Sequence, residues 1–170
     1  MKIYNDGRAN KVPSPRAGMT TQDVSFLKDA KVSIMFELAT SRLAALYATT
    51  PWGKEFAKEM VDEHTSSGNE LDMIAKEAGV ALPTGLPAAK QTIVAALQKA
   101  NGTGFDEAYR KTQIDNHQSA NATYDREIKM GHDSAVRNFA IKTLPAIRMH
   151  LKLAKLQKTM MGATKIQTNQ

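Results

Sequence analysis

Four ionisable side chains lie on the inward-facing side of segments with helical periodicity. They are Glu37, His64, His117 and His150, one in each of four long segments. At about 100° per residue, His64 falls at the centre of an apolar face, and His150 does so in a later segment. Glu37 lies in a stripe of small residues that leaves room for a carboxylate. The pattern predicts that each long helix directs one ionisable group into the interior.

The positions of these residues along the chain place them at similar heights in a helical bundle. Glu37 and His64 lie 13 and 14 residues from Thr50, at the turn between the first two helices. His117 and His150 lie 14 and 19 residues from the last turn, which is within about 8 Å of a common level at the helical rise. Burying one unpartnered ionisable group costs several kcal/mol. We therefore expect the four residues to share one site.

Two kinds of site fit this set of residues. One is a mononuclear metal site, because carboxylate and imidazole ligands suit zinc or another divalent transition metal. The other is a neutral, purely structural hydrogen-bonded network, with waters or hydroxyls such as those of Ser41, Thr143 and Tyr124 as partners. The candidate metal ligands are Glu37, His64, His117 and His150.

Enzyme chemistry has little support in the sequence. A di-iron carboxylate site would need glutamate three residues before a histidine on two helices. The residues at those positions are Val61, Ile114, Lys129 and Ile147. The chain has no cysteine, which excludes thiol nucleophiles, disulfides and thiolate metal sites. Because there is also no nucleophile elbow or phosphate-binding loop, we expect a non-catalytic protein.

Capping and breaking residues predict four long helices and one short helix. Thr20 and Asp23 form a capping-box pattern, and Thr50-Pro51 combines an N-cap with proline at the first helical position. Asp133 is expected to cap the last helix, and glycines follow the predicted C-terminal ends. The predicted helices span residues 21–49, 51–78, 87–100, 104–130 and 133–161.

This order of helices favours an all-α, ferritin-like four-helix bundle with the additional short helix in the crossover between the second and third long helices. The middle connection, residues 79–103, is long enough to cross the length of the bundle. An up-down-up-down bundle with the short helix folded back is the alternative. We expect residues 1–20 to form a disordered arm, residues 21–161 the bundle domain, and residues 162–170 a flexible tail.

The net charge of +6 over 170 residues raises the question of nucleic-acid binding. The last long helix has six basic residues and one acidic residue, whereas the second long helix has three basic and seven acidic residues. In the ferritin-like arrangement these two helices are neighbours and compensate each other at modest energy per pair. Aromatic residues are only 6%, so we expect no nucleic-acid partner.

Membrane and export signals are absent from the sequence. No run of about 18 apolar residues predicts a transmembrane segment. Residues 1–20 also lack the apolar stretch of a signal peptide.

Stretches around the four inward residues carry a family resemblance. They are FLKDAKVSIMFELATSRLA, KEFAKEMVDEHTSSGNEL, GFDEAYRKTQIDNH and LPAIRMHLKLA, which contain Glu37, His64, His117 and His150. Over roughly residues 21–156 the sequence resembles a bacterial family of unknown function, DUF4142, often described as outer-membrane or periplasmic proteins. The resemblance implies a ferritin-like helical bundle, a periplasmic or outer-membrane-associated location and no established enzymatic activity.

The inward-facing residues predict a small, non-catalytic bundle protein that binds a single divalent transition metal ion, such as zinc, in its core, and the resemblance implies that it is extracytoplasmic. The alternative is a protein-interaction or stress-related envelope module, with an envelope protein as partner. In that case the buried cluster of glutamate and histidines is purely structural.

Overall fold

The structure is a computed structural model that describes the backbone of residues 14–167 and the side chains of residues 14–157. All regular secondary structure in this part of the chain is helical, which confirms the all-α prediction. The helices are α1 (Thr21–Tyr47), α2 (Pro51–Glu77), α3 (Ala88–Lys99), α4 (Gly102–Met130) and α5 (Ser134–Gln167). None of the described helices has an apolar stretch sufficient to cross a lipid bilayer.

The starts of the long helices follow from local side-chain capping. Thr20 and Asp23 form a capping box at the start of α1. Thr50 caps α2 immediately before Pro51, and the Asp133 carboxylate accepts backbone N–H donors at the start of α5. These caps satisfy N–H groups that have no partner within the helix.

Glycine ends α2 but does not end α5. Gly79 has a φ of +68°, the left-handed conformation that commonly ends a helix. In contrast, α5 continues past Gly162 to Gln167, beyond its predicted end at residue 161. A glycine inside a helix costs only about 1 kcal/mol relative to alanine, so Gly162 alone does not end α5.

The segment before α1 lies against one end of the bundle. The backbone N–H of Arg16 donates to the carbonyl of Ala78 at 2.8 Å, and its guanidinium donates to Asp133 at 2.6 Å. The expected disordered arm, residues 1–20, thus contains a part that contacts the bundle. Its first 13 residues lie outside the described residues, as do residues 168–170 of the expected tail.

The connection between α2 and α4 is a crossover that returns along the length of the bundle. Hydrogen bonds join Thr49 to Asp106 at one end of α1 and α4, and Gln22 to Glu127 at the other. Helix α1 is therefore antiparallel to α4 as well as to α2, so α2 and α4 run in the same direction. The up-down-up-down alternative would place α2 beside α4, whereas α1 occupies that position. The predicted ferritin-like connectivity is confirmed, and α3 lies in the crossover against α1 and α4.

The edge between α2 and α5 is the least closely packed side of the four-helix arrangement. Lys142 of α5 pairs with Glu70 of α2 at 2.8 Å. Arg148 of α5 pairs instead with Asp125 of α4, at 3.0 Å. The acidic and basic helices are neighbours, as expected, but the basic residues of α5 divide their ion pairs between two helices.

The apolar core consists of two clusters separated along the bundle axis. One is built around Phe26, Leu27, Tyr124 and Phe139, and the other around Phe56, Met60, Phe105 and Tyr109. The boundary between them coincides with buried polar residues at one level of all four long helices. Those residues include Glu37, His64, His117 and His150.

Asp23 connects α1 to the turn between α4 and α5. It is fully buried, and its carboxylate accepts the N–H of Thr20 at 2.7 Å, of His132 at 2.8 Å and of Asp133 at 3.0 Å. Burial opposes ionisation, but the hydrogen bonds from Thr20, Asp133 and His132 together lower the pKa of Asp23 to about 2. This carboxylate accepts hydrogen bonds from two chain segments at once, the start of α1 and the turn between α4 and α5.

We expect Asp23→Ala to lower the free energy of unfolding by about 2–4 kcal/mol, because it removes the acceptor of several partly buried N–H groups. Urea unfolding monitored by circular dichroism measures the change. Asp29→Ala, an exposed position on α1, is the control and should change it by less than about 0.5 kcal/mol. Equal losses in the two variants would contradict the role given to Asp23.

Candidate metal centre

Three of the four predicted residues bring their imidazole rings to one point. His64 of α2, His117 of α4 and His150 of α5 each offer a ring nitrogen, and these atoms lie within 4.8 Å of one another. The ring centroids are 5.3 Å apart for His117 and His150, and 5.9 and 6.0 Å from His64 to these two. The exposed fraction is 9% for His64, 1% for His117 and 2% for His150. Three different helices therefore build one compact, buried histidine cluster.

Each of the three rings has one buried nitrogen without a hydrogen-bond partner. These atoms are Nε2 of His64, Nε2 of His117 and Nδ1 of His150. A buried polar atom left unpaired costs about 1–3 kcal/mol, and native proteins contain few of them. The cluster therefore contains three ring nitrogens that no protein group satisfies and that could bind a metal ion.

The opposite nitrogens of two rings determine which nitrogen carries the proton. His117 Nδ1 lies 2.9 Å from the backbone oxygen of Gln113, and His150 Nε2 lies 3.1 Å from Oε2 of Glu63. A carbonyl oxygen only accepts hydrogen bonds, so Nδ1 of His117 must donate, and the carboxylate oxygen facing Nε2 of His150 favours a proton on that nitrogen as well. The neutral rings of His117 and His150 therefore keep their lone pairs on the unpartnered nitrogens. This is the tautomer that a metal ligand requires.

Glu37 lies behind His117 and not among the three unpartnered nitrogens. Its Oε1 is 3.5 Å from Nδ1 of His117 and accepts a hydrogen bond of 2.6 Å from Nδ2 of Asn116. Its Oε2 is buried without a hydrogen-bond partner. The sequence placed Glu37 among the candidate ligands, and the structure places it next to the proton-bearing side of one of the histidines.

A chain of polar contacts connects Glu37 to the crossover helix. Lys90 of α3 donates to Oδ1 of Asn116 at 2.6 Å, and the amide of Asn116 in turn donates to Glu37. Burial raises the pKa of Glu37, whereas His117 and the hydrogen bond from Asn116 oppose that rise. The position of α3 across α1 and α4 thus supplies a positive charge near a carboxylate buried in the bundle.

Burial keeps His64 and His150 neutral at physiological pH. It lowers the pKa of His64 to about 3, and repulsion from His117 and His150 lowers it further. It also lowers the pKa of His150 to about 4, again with a contribution from His117. Neutral imidazoles present lone pairs without a positive charge that would repel a cation.

The cluster is reached from the groove between α2 and α5. A cavity of about 200 Å³ opens along this loosely packed edge. Its lining residues include Glu63, His64, Ser67, Glu70, Lys142 and His150. Two of the three histidines therefore border a solvent-accessible path.

The hydroxyls that the sequence offered for a structural network, those of Ser41, Thr143 and Tyr124, do not bond to the three unpartnered ring nitrogens, although Thr143 lines the cavity beside His64 and His150. Ser41 shares a hydrogen bond of 2.8 Å with the hydroxyl of Tyr109. Tyr124 packs against Phe26 in an edge-to-face contact with ring centroids 4.9 Å apart. Neither hydroxyl satisfies the free nitrogens of the histidine cluster.

The sequence reasoning missed three residues that contact the predicted site. Gln113 precedes His117 by four residues, so its carbonyl could have been identified from helical spacing alone. Asn116 and Glu63 are sequence neighbours of candidate residues, but each contacts a different helix from its own. No periodicity within α2 indicates that Glu63 reaches His150 of α5.

The fold and the site together define an all-α, ferritin-like four-helix bundle with a histidine-lined centre. The sequence matches the family described as "Domain of unknown function (DUF4142)" over residues 9–156, and the chain belongs to this family. The fold is similar to the crystal structure of a DUF305 fragment from Deinococcus radiodurans, with a TM-score of 0.73. The identity is 12%, and the similarity covers 81% of this chain and 95% of that chain. At this identity the likeness concerns the fold alone. No curated protein matches the sequence.

The lowered pKa of His64 has a consequence for stability at mildly acidic pH. The unfolded histidine takes up a proton near pH 6.5, whereas the folded one stays neutral down to about pH 3. Unfolding therefore binds a proton between these values. The stability contributed by neutral His64 is complete above pH 6.5 and is lost as the pH falls.

We expect the unfolding free energy of metal-free protein to fall more steeply from pH 6 to pH 5 in the wild type than in His64→Gln. The difference in slope should be about 1 kcal/mol per pH unit, because one proton-uptake site is removed. Urea unfolding at several pH values provides the measurement. The exposed His132→Gln is the control and should keep the wild-type slope, and identical slopes in all three proteins would contradict a buried neutral His64.

Proposed function

We propose that this protein binds one divalent transition-metal ion through His64, His117 and His150. The observation that carries the proposal is the group of three buried ring nitrogens without partners, one on each of three helices. A single cation would satisfy all three at once. Without an ion, each of the three nitrogens would need its own hydrogen-bond donor within the same small space.

The chemistry of the donors favours a borderline transition metal over a hard cation. Imidazole suits zinc, copper, iron and nickel, whereas magnesium and calcium prefer oxygen ligands. Zinc bound by three histidines keeps a fourth position for water or another ligand. Tetrahedral zinc with bonds of about 2.0–2.1 Å would separate ligand nitrogens by about 3.3 Å. The ligand atoms of the three rings lie within 4.8 Å of one another.

The groups behind the ligands support this assignment. The carbonyl of Gln113 and the carboxylate of Glu63 hold His117 and His150 in the required tautomers. Glu37 lies on the proton-bearing side of His117, with its Oε1 3.5 Å from Nδ1. Such partners orient metal-binding histidines and raise their basicity. The proposed role of Glu37 is to position and polarise a ligand.

We also propose that the protein acts without catalysis in the periplasm or in association with the outer membrane. The support for the location is the family resemblance of the sequence. The support for a binding role is that the groups around the three ring nitrogens orient the histidines. The biological function would be metal binding by a small bundle domain.

We expect zinc to stabilise metal-stripped, untagged protein. An ion that binds only the folded state at a hundredfold excess over its Kd adds about 2.7 kcal/mol, which raises the Tm by several degrees. His64→Ala, His117→Ala and His150→Ala should each abolish the shift, while the exposed His132→Ala should retain it. Calorimetry with zinc, cobalt, nickel, copper, manganese and iron gives the shift and the stoichiometry, expected to be one ion per chain.

Absence of a shift with every one of these metals would overturn the proposal and leave the histidines as a structural cluster. If the increase in Tm were retained in His117→Ala and lost in His132→Ala, the ion would bind outside the cluster of three histidines. Circular dichroism of each variant separates loss of binding from loss of fold.

The role of Glu37 is tested by Glu37→Gln. Removing an outer partner of a ligand typically weakens metal binding 10–100-fold, so the variant should still bind zinc measurably. His117→Ala should remove tight zinc binding in the same competition titration. If Glu37→Gln abolishes binding as completely as His117→Ala, then Glu37 is itself a ligand.

A further inference from the structure

His150 belongs to two groups of possible metal ligands. Its ring takes part in the inner cluster with His64 and His117, and it also lies with Glu59 and Glu63 in a second group whose ligand atoms are within 4.8 Å of one another. We propose that Glu59, Glu63 and His150 form an outer cation site that receives the ion before it passes to the inner histidine site. This inference rests on the proposed function, because it assigns the route by which that site is loaded.

The position of the second group agrees with such a route. Glu59 and Glu63 are exposed and one helical turn apart on α2, whereas His150 is 2% exposed. The cavity in the groove between α2 and α5 is lined by Glu63, His64 and His150 together. Glu63 and His150 belong both to this lining and to the outer group, so the outer group adjoins the cavity that leads to the buried imidazoles.

The charges of the outer group favour capture of a cation. In the part of the chain that the structure describes, neither Glu59 nor Glu63 forms a salt bridge with lysine or arginine. The carboxylates of Glu59 and Glu63 have oxygens within 4.8 Å of each other, and two like charges at that distance repel. A divalent cation would relieve this repulsion and supply the missing positive charge.

The buried ring of His150 is the feature that distinguishes this group from an ordinary acidic surface patch. Its Nε2 faces Glu63 at 3.1 Å, and its Nδ1 is buried without a hydrogen-bond partner. A neutral imidazole has a single lone pair, so the ring can bind an ion on one side at a time. In the resting protein Nε2 carries the proton, so capture of the ion at the outer site releases that proton to water while Nδ1 takes one up. As the ion moves inward the exchange runs in reverse, with no net change in protons. One ion per chain is therefore expected at saturation.

The two sites differ in the ligands that they offer. The outer site has two carboxylates and one imidazole, and the inner site has three imidazoles. Carboxylates attract any divalent cation through charge, whereas three nitrogens favour the later transition metals. The outer site would collect cations and the inner site would retain the preferred ones.

The kinetic test compares Glu59→Gln with Glu55→Gln. Glu55 is exposed on the same helix, one turn farther from Glu63, and belongs to neither ligand group. Stopped-flow absorbance would follow Co²⁺ binding to the metal-stripped protein and its release into a chelator. Glu59→Gln should slow both binding and release by roughly tenfold and leave the Kd unchanged, because a group that contacts the ion only along the route affects both directions equally. Glu55→Gln should leave both rates within about twofold of the wild type.

Equal rates in the wild type and Glu59→Gln would overturn the outer site. So would equal slowing by Glu59→Gln and Glu55→Gln, because that result reflects the general charge of α2. Since Glu59 is exposed, these variants should fold normally.

An equilibrium test separates this inference from the proposed function. His117→Gln removes an inner ligand and should retain weak binding of one Co²⁺, detectable by calorimetry, which a further Glu59→Gln abolishes and a further Glu55→Gln does not. Tight wild-type binding with no residual binding in His117→Gln would overturn the outer site alone. Equally weak binding in the wild type and in His117→Gln would overturn the inner site and leave the outer one.

Discussion

The organisation of this protein depends on the cost of burying ionisable groups in a helical core. Glu37, His64, His117 and His150 lie at one level between two apolar clusters, where water is largely excluded. An unpaired charge at that depth would cost several kcal/mol. The structure responds by keeping His64 and His150 neutral and by giving Glu37 a hydrogen bond from Asn116 beside His117. The neutral rings that result are suited to bind a metal ion.

The crossover connection decides which of these groups meet. It places α4 antiparallel and adjacent to α1, so Asn116 and His117 face Glu37 across that interface. The same connection carries α3, which brings Lys90 to Asn116. An up-down-up-down chain with the same helices would have put α2 beside α4 and separated Glu37 from His117. Connectivity therefore determines the partner of the buried carboxylate.

The four sides of the bundle are not equally packed, and this difference determines from which side the histidine cluster is reached. Three sides are closely packed, whereas the edge between α2 and α5 opens into a cavity bordered by His64 and His150. The exposed Glu59 and Glu63 lie along the same edge. The buried cluster is thus connected to solvent on the side where acidic residues are concentrated. This arrangement relates the uneven charge of α2 to the position of the histidines.

The sequence by itself determined the helices, their caps and the identity of the inward-facing residues, because these depend on periodicity and on interactions between residues a few positions apart. Thr20 with Asp23, Thr50 with Pro51 and the single ionisable residue on each apolar face are all local signals. Only the tertiary structure decided that three histidines converge while Glu37 lies behind one of them. It also decided that Glu63 reaches His150 from another helix. These relations depend on the rotation and spacing of neighbouring helices to within about an ångström, which no pattern within one helix specifies.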